Sequence, residues 1–307
     1  MVSHYPVYPA GLGQGEFARV RFTLEMLSGC RLNAGTLLGL RRPLQLAAGA
    51  VLGPRGALLF DPAPDTDPLA RRRHQKPAPG FVLHAAAGGA QELLEGDRLH
   101  IELLLLGTAV QSFTDLASCL EQLGRHGLVH GDGCFEIAAV ELSCTAGGWQ
   151  RSGPLAQVGS LVPELTRLDH WLDDHWPARA RLALEFVSPL RLIANGRVLR
   201  RPRFDQLFPF LLRRVTSMLH AWCGLELGAD PTPLLQAART CTTRWDAAGW
   251  LDWRETGRRE PLGGLLGTLQ VDGPELDSIL WVVLLASLFG AGKGAAYGAG
   301  RCRLLAA

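Results

Sequence analysis

The end of the chain constrains its fold most. Gly290 to Arg303 reads GAGKGAAYGAGRCR: Gly290, Gly292, Gly294, Gly298 and Gly300 fall within eleven residues around Lys293, and Arg301 and Arg303 follow. An apolar run, Leu276 to Phe289, leads directly into this stretch and reads as a buried helix. A P-loop needs Gly-x-x-x-x-Gly-Lys-Ser/Thr between a strand and a helix, but Gly294 follows Lys293 and Ser287 stands where the first glycine belongs. A dinucleotide loop has to open a helix, and only seven residues follow Gly300. A third reading is a loop lying against a phosphate chain. Glycines admit close approach and positive φ, successive N–H groups form an anion nest, and Lys293, Arg301 and Arg303 add charge. The bland alternative is a flexible Gly/Ala-rich tail. In the phosphate reading Ala296 to Leu305 returns as a strand, so the loop is pinned at both ends. Substituting Gly292 or Gly294 should then weaken binding while the fold survives.

The chain has 307 residues, 47% of them hydrophobic, enough for one large or two medium domains. Its net charge is +2, and every basic residue except Lys76 and Lys293 is arginine. Arginine suits bidentate phosphate contact and stacking on bases, so the bias permits an RNA partner without proving one. The seven cysteines form no C-x-x-C pair and read as buried thiols in a reducing compartment. The N-terminus has no signal-peptide pattern, and the longest apolar run, Ile279 to Phe289, is shorter than the ~20 residues of a membrane span. A cytoplasmic protein without a membrane partner is expected.

Alternation over Phe17 to Leu27 predicts a half-buried strand. Asn33 can cap a helix over Leu37 to Ala47, which Pro43 would stop or kink, and Gly49 to Gly56 reads as turns. Asp61 to Gly80 reads as a surface loop and holds the densest basic cluster, Arg71, Arg72, Arg73, His74 and Lys76. Strands are expected at Phe81–Ala85, Arg98–Leu106 and Cys134–Leu142, with an amphipathic helix over Val110–His126. The second half repeats the rhythm: strand Arg181–Leu192, helix Phe204–Cys223, strands Arg244–Trp253 and Leu262–Val271, then the apolar helix and the final strand. Each half thus reads strand, helix, strand, strand, helix, strand. That predicts an α+β protein of two tandem ferredoxin-like (split βαβ) domains, residues 1–150 and 164–307, joined through the Gly/Ser/Pro-rich Thr145–Pro163.

The glycine-rich end resembles the C-terminal signature of the CRISPR-associated repeat-RNA processing endoribonucleases of the RAMP superfamily. It matches at Gly290, Gly292, Lys293, Gly294, Gly298, Gly300 and Arg301, and departs at Cys302, where an aromatic residue is usual. Gly35–Leu40, Phe60-Asp61-Pro62, Phe81-Val82-Leu83, Phe186–Arg191, and Trp253, Arg258 and Gly263–Gly267 resemble further segments of that family in the same order. The resemblance implies two ferredoxin-like domains that bind a CRISPR repeat hairpin and cut below it without a metal.

Such a cut needs a base for the 2′-OH proton, a cation for the phosphate and an acid for the leaving 5′-oxygen. Histidine suits the proton transfers, and lysine or arginine the phosphate. The family's histidine often lies on or just after the first helix, but Leu37–Ala47 holds none. His74, beside Arg73 and Lys76, is the first candidate and His130 a weaker one. His220 reads as a residue that satisfies the end of its helix. Arg41, Arg42, Arg71, Arg72, Arg73, Arg254, Arg258 and Arg259 are candidates for RNA contact. Trp245, Trp250 and Trp253 are read as core before base platforms. No cofactor motif and no metal-ligand spacing stand in the sequence. Two readings follow: an endoribonuclease that retains its crRNA product, or a non-catalytic crRNA-binding subunit partnered with other CRISPR effector proteins. A ferredoxin-like protein with no nucleic-acid role is the third.

Overall fold

A computed structural model describes residues 6–74, 76–85, 91–129, 131–144, 148–153, 159–177, 181–227, 230–253 and 262–305. The first half contains β1 (Glu16–Met26), β2 (Cys30–Leu32), α1 (Ala34–Leu38), α2 (Arg41–Leu52), α3 (Arg55–Phe60), α4 (Pro68–Arg73), β3 (Phe81–Ala85), β4 (Gln91–Leu93), β5 (Arg98–Leu106), α5 (Phe113–His126), β6 (Phe135–Ser143) and β7 (Trp149–Gly153). The second contains β8 (Thr166–Arg167), α6 (Leu168–His175), β9 (Arg181–Leu190), β10 (Ile193–Ala194), β11 (Arg197–Val198), α7 (Phe204–Cys223), α8 (Thr232–Thr240), β12 (Thr242–Trp253), β13 (Leu262–Asp272), α9 (Leu276–Phe289) and β14 (Cys302–Leu305).

The two large sheets are antiparallel. The first runs β3-β5-β1-β6-β7, with β8 added to β1, and the second runs β12-β13-β9-β14. Of the four principal strands in each half, the second, third, first and fourth lie side by side in that order. In β1, Val20, Phe22, Leu24 and Met26 are buried in one core, with Arg19 and Arg21 on the opposite face, as alternation requires; Phe17 faces the other core. The helices α7 and α9 match their expected bounds. α9 is buried almost all round, which is why it carries no polar face. The core under the second sheet also takes Phe17, Val82, Leu104 and Leu106 from the first half.

Several expectations are corrected. Asn33 caps α1, accepting from the Thr36 amide, but the helix ends at Leu38 and a second one, α2, begins at Arg41. Pro43 lies in the first turn of α2, where no intrahelical N–H bond is lost, so it neither stops nor kinks the helix. Pro54 and Arg55 start α3 where turns alone were expected. The expected loop Asp61–Gly80 contains α4, capped by the Asp67 carboxylate on the Leu69 and Ala70 amides. Part of the expected linker forms β7; residues 145–147 and 154–158 lie outside the described residues.

The C-terminal stretch is neither a tail nor a long strand. Gly290, Gly292, Gly294, Gly298 and Gly300 all have φ between 62 and 89°, the left-handed region that glycine enters without strain. Ala295–Tyr297 forms a 3-10 turn, and the returning strand is only Cys302–Leu305, because the glycine turns occupy the residues before it. Part of the loop's polar backbone is tied to the end of β9 and the residue after it, and part closes on the loop itself. The Lys293 amide donates to Arg191 O (2.9 Å) and the Gly300 amide to Pro189 O (3.0 Å). Buried Ser188 donates to Gly298 O (2.6 Å) and accepts from the Arg301 amide (2.8 Å). On the other side, Tyr297 packs edge-on against Phe81 of β3, 5.9 Å between ring centres.

The expectation that Gly292 tolerates substitution therefore fails on geometry. A Cβ there would overlap Arg191 O, and at Gly300 it would overlap Ala291 O. At exposed Gly294 the nearest atom would be the Ala299 Cβ at 3.3 Å, leaving backbone strain as the cost. Gly300→Ala should destabilise the protein by about 3 kcal/mol or more, and Gly294→Ala by about 1–2 kcal/mol. Chemical denaturation of both variants measures the difference; equal losses would contradict this packing.

Candidate active site and nucleic-acid interface

His74 is the residue at which α4 ends, its amide donating to Ala70 O. His220 lies one turn before the end of α7. Gly224, left-handed at φ 67°, turns the chain there: its amide donates to His220 O, and the Leu225 amide reaches back to Leu219 O. That reversal carries Glu226 over His220.

The two imidazoles stack, 4.1 Å between ring centres and 8° from parallel. His74 Nε2 is 3.4 Å from Glu226 Oε2, and His220 Nδ1 is 2.8 Å from Glu226 Oε1. Asp65 Oδ2 lies 2.8 Å from His220 Nε2. The Asp67 amide and then His220 hold the Asp65 carboxyl below the usual carboxylate range. Only 9% of the His74 side chain is exposed, and its Nδ1 is buried with no hydrogen-bond partner among the described residues. The pair opens on a cleft of about 480 Å³ that Arg71, Lys76 and Trp222 also line. Lys76 Nζ pairs with Asp61 at 2.6 Å. His74 and Lys76 thus share one cleft, and the structure adds His220, which sequence reasoning placed at a helix end. No spacing in the sequence could have paired residues from opposite halves of the chain.

The second region is the tip of the glycine loop. Exposed Lys293 lies beside Arg191, Arg213 and Phe210 around a cleft of about 310 Å³. Arg214 on the same rim is buried and donates Nη2 to Phe289 O (3.2 Å), closing the C-terminus of α9. The anion-nest reading narrows here: the Lys293, Tyr297, Gly298, Ala299, Gly300 and Arg301 amides all have partners within the protein. The Gly292, Gly294, Ala295 and Ala296 amides have no such partner among the described residues, so the nest reading is left with these four beside Lys293.

The other candidates scatter. Arg41 and Arg42 are exposed at the start of α2, and Arg71, Arg72 and Arg73 are exposed on α4. Arg301 is partly buried, which pulls its guanidinium below its usual range. His130, Arg254, Arg258 and Arg259 lie outside the described residues. Trp245 packs on Phe186 and donates to Pro202 O, so it belongs to the core, while Arg200 covers Trp250 at 4.9 Å. On the face of the first sheet, Arg19 and Arg21 share Glu102 (3.1 and 3.0 Å), and Arg21 sits 4.0 Å over Trp149.

His84 on β3 carried no usable sequence pattern. Burial, and then the charge of Arg301, pulls it down to about 3. Its folded value is below the ordinary 6.5, so the unfolded chain binds the extra proton. Stability is unaffected by this group above pH 6.5 and falls as pH drops from 6.5 toward 3, with a slope of about 1.4 kcal/mol per pH unit. His84→Gln should flatten that part of the stability–pH profile; an unchanged slope would show that His84 is not held neutral.

Residues 184–302 match the family model described as the CRISPR-associated endoribonuclease Cas6, and residues 57–160 match one described as an N-terminal domain. No curated protein matches the chain. Among solved structures, a Cas6 product complex is 20% identical with a TM-score of 0.56, covering 94% of this chain and 99% of that one. A Thermus thermophilus Cas6 is 14% identical with a TM-score of 0.58, covering 95% and 99%. The Cas6-containing chain of a Cas6-RT-Cas1–Cas2 partial complex gives 14% and 0.58, covering 95% of this chain but 46% of that one. The sequence match to the Cas6 model thus covers the second half of the chain, and nearly the whole length shares its fold with solved Cas6 structures.

Proposed function

We propose that this protein binds CRISPR repeat hairpin RNA and cuts precursor crRNA by attack of a 2′-OH, with no metal in the reaction. The observation that carries this reading is the His74–His220 stack in a cleft shared with Lys76. Each ring has a carboxylate within reach, Glu226 beside both and Asp65 beside His220. One imidazole takes the 2′-OH proton, and the oxygen attacks the adjacent phosphorus in line. The P–O5′ bond breaks, leaving a 2′,3′-cyclic phosphate, and the other imidazole protonates the departing 5′-oxygen. Lys76 or Arg71 offsets charge on the phosphoryl oxygens. Lys293 and Arg213 at the loop tip contact the RNA backbone, with Arg41, Arg42, Arg72 and Arg73 as further contacts. The 2-3-1-4 strand order of each half supports two tandem ferredoxin-like domains.

The second reading is a crRNA-binding subunit that does not cut and docks on other CRISPR proteins. The absence of a histidine from α2 favours it. The solved Cas6-RT-Cas1–Cas2 assembly shows a neighbour of this fold among such partners.

Hairpin affinity should fall about tenfold or more between 50 and 200 mM salt, because phosphate contacts release counterions. Cleavage should persist in EDTA and stop with a single 2′-deoxy substitution before the cut. His74→Ala and His220→Ala should each lower the rate by about 10²–10⁴-fold while leaving binding within a few-fold. Binding without cleavage supports the second reading. A strict Mg²⁺ requirement, or full activity in both histidine variants, would overturn the first.

A further inference from the structure

We propose that His74, His220 and Glu226 form a metal site of the zinc class that bridges the two halves of the chain. One ligand atom from each lies within 4.8 Å of the others. Two imidazoles and one carboxylate make the His₂Glu set that holds zinc with a position left open. Magnesium and calcium prefer all-oxygen ligands, so they are the wrong ions for this set.

Two independent features point to a cation here. Asp65 faces His220 Nε2 at 2.8 Å, the outer carboxylate that orients a metal-binding histidine, and its acceptance of the Nε2 proton leaves the lone pair on Nδ1. That Nδ1 stands 2.8 Å from Glu226 Oε1 without the alignment of a hydrogen bond. Two acceptors at this distance repel, and a cation between them turns the contact into an attraction. The second feature is His74, whose side chain is only 9% exposed and whose Nε2 faces Glu226 Oε2 at 3.4 Å. Glu226 is exposed and gives an ion access from solvent. Because His74 follows α4 while His220 and Glu226 belong to the α7 end, a bound ion would staple one half to the other.

The site shares His74 and His220 with the cleavage reading; metal binding does not depend on that reading, but its consequence for cleavage rests on it. An imidazole that has given its lone pair to zinc cannot take a proton, so zinc would switch cleavage off. The test is calorimetric titration of the full-length, metal-stripped protein with zinc chloride, with magnesium chloride as control. One zinc per chain should bind with a submicromolar Kd and raise the Tm by several degrees; magnesium should do neither. Glu226→Gln should weaken zinc binding tenfold or more, Asp65→Asn about tenfold, and the His74→Asn/His220→Gln pair should abolish it. If the double variant does not fold, Glu226→Gln, changed at an exposed side chain, carries the test. No stoichiometric binding, or equal affinity in wild type and Glu226→Gln, would overturn the proposal; the latter would move zinc to the cysteines. Zinc that binds at these residues yet leaves cleavage intact would count against the His74–His220 cutting mechanism and not against the metal site.

Discussion

The seam between the end of β9 and the glycine loop holds the rest of the molecule in place. Ser188, Pro189 and Arg191 supply one side; the backbone from Lys293 to Arg301 supplies the other. Five left-handed glycines let the chain turn tightly enough to satisfy its polar groups against that strand while Tyr297 reaches into the first half. The loop is thereby a wedge with two roles. Its buried base joins the halves, and its exposed tip sets Lys293 beside Arg213.

The same meeting of halves creates the histidine pair. α4 delivers His74 through an Asp67 cap, and α7 delivers His220 and Glu226 through a Gly224 reversal. Neither local device is unusual alone. Their juxtaposition gives a carboxylate shared by two stacked rings, with Asp65 behind one of them. Protons and a borderline-soft divalent cation would compete for such a group, so the proposed cutting site and the proposed zinc site would use the same atoms without operating together.

Periodic and capped segments were legible in the sequence. α7, α9 and the strands at Phe81 and Arg98 match because hydrophobic spacing decides them. The glycine motif marked a loop whose Lys293 and Gly300 amides are taken by the chain around the end of β9, about a hundred residues away, a pairing that no local pattern encodes. Pro43 and the α4 segment were misread for a local reason: proline and charge mark helix starts as well as loops. His74 was reached through its basic neighbours. His220 was not, because its role depends on a tertiary contact that no periodicity encodes.

The most direct test is a crystal structure of the protein bound to an uncleavable repeat hairpin carrying a 2′-deoxy residue before the cut. The scissile phosphate should lie within hydrogen-bonding reach of His74 or His220, with Lys293 and Arg213 on the RNA backbone. A hairpin seated with its scissile phosphate far from both histidines would contradict the assignment of this cleft as the cutting site.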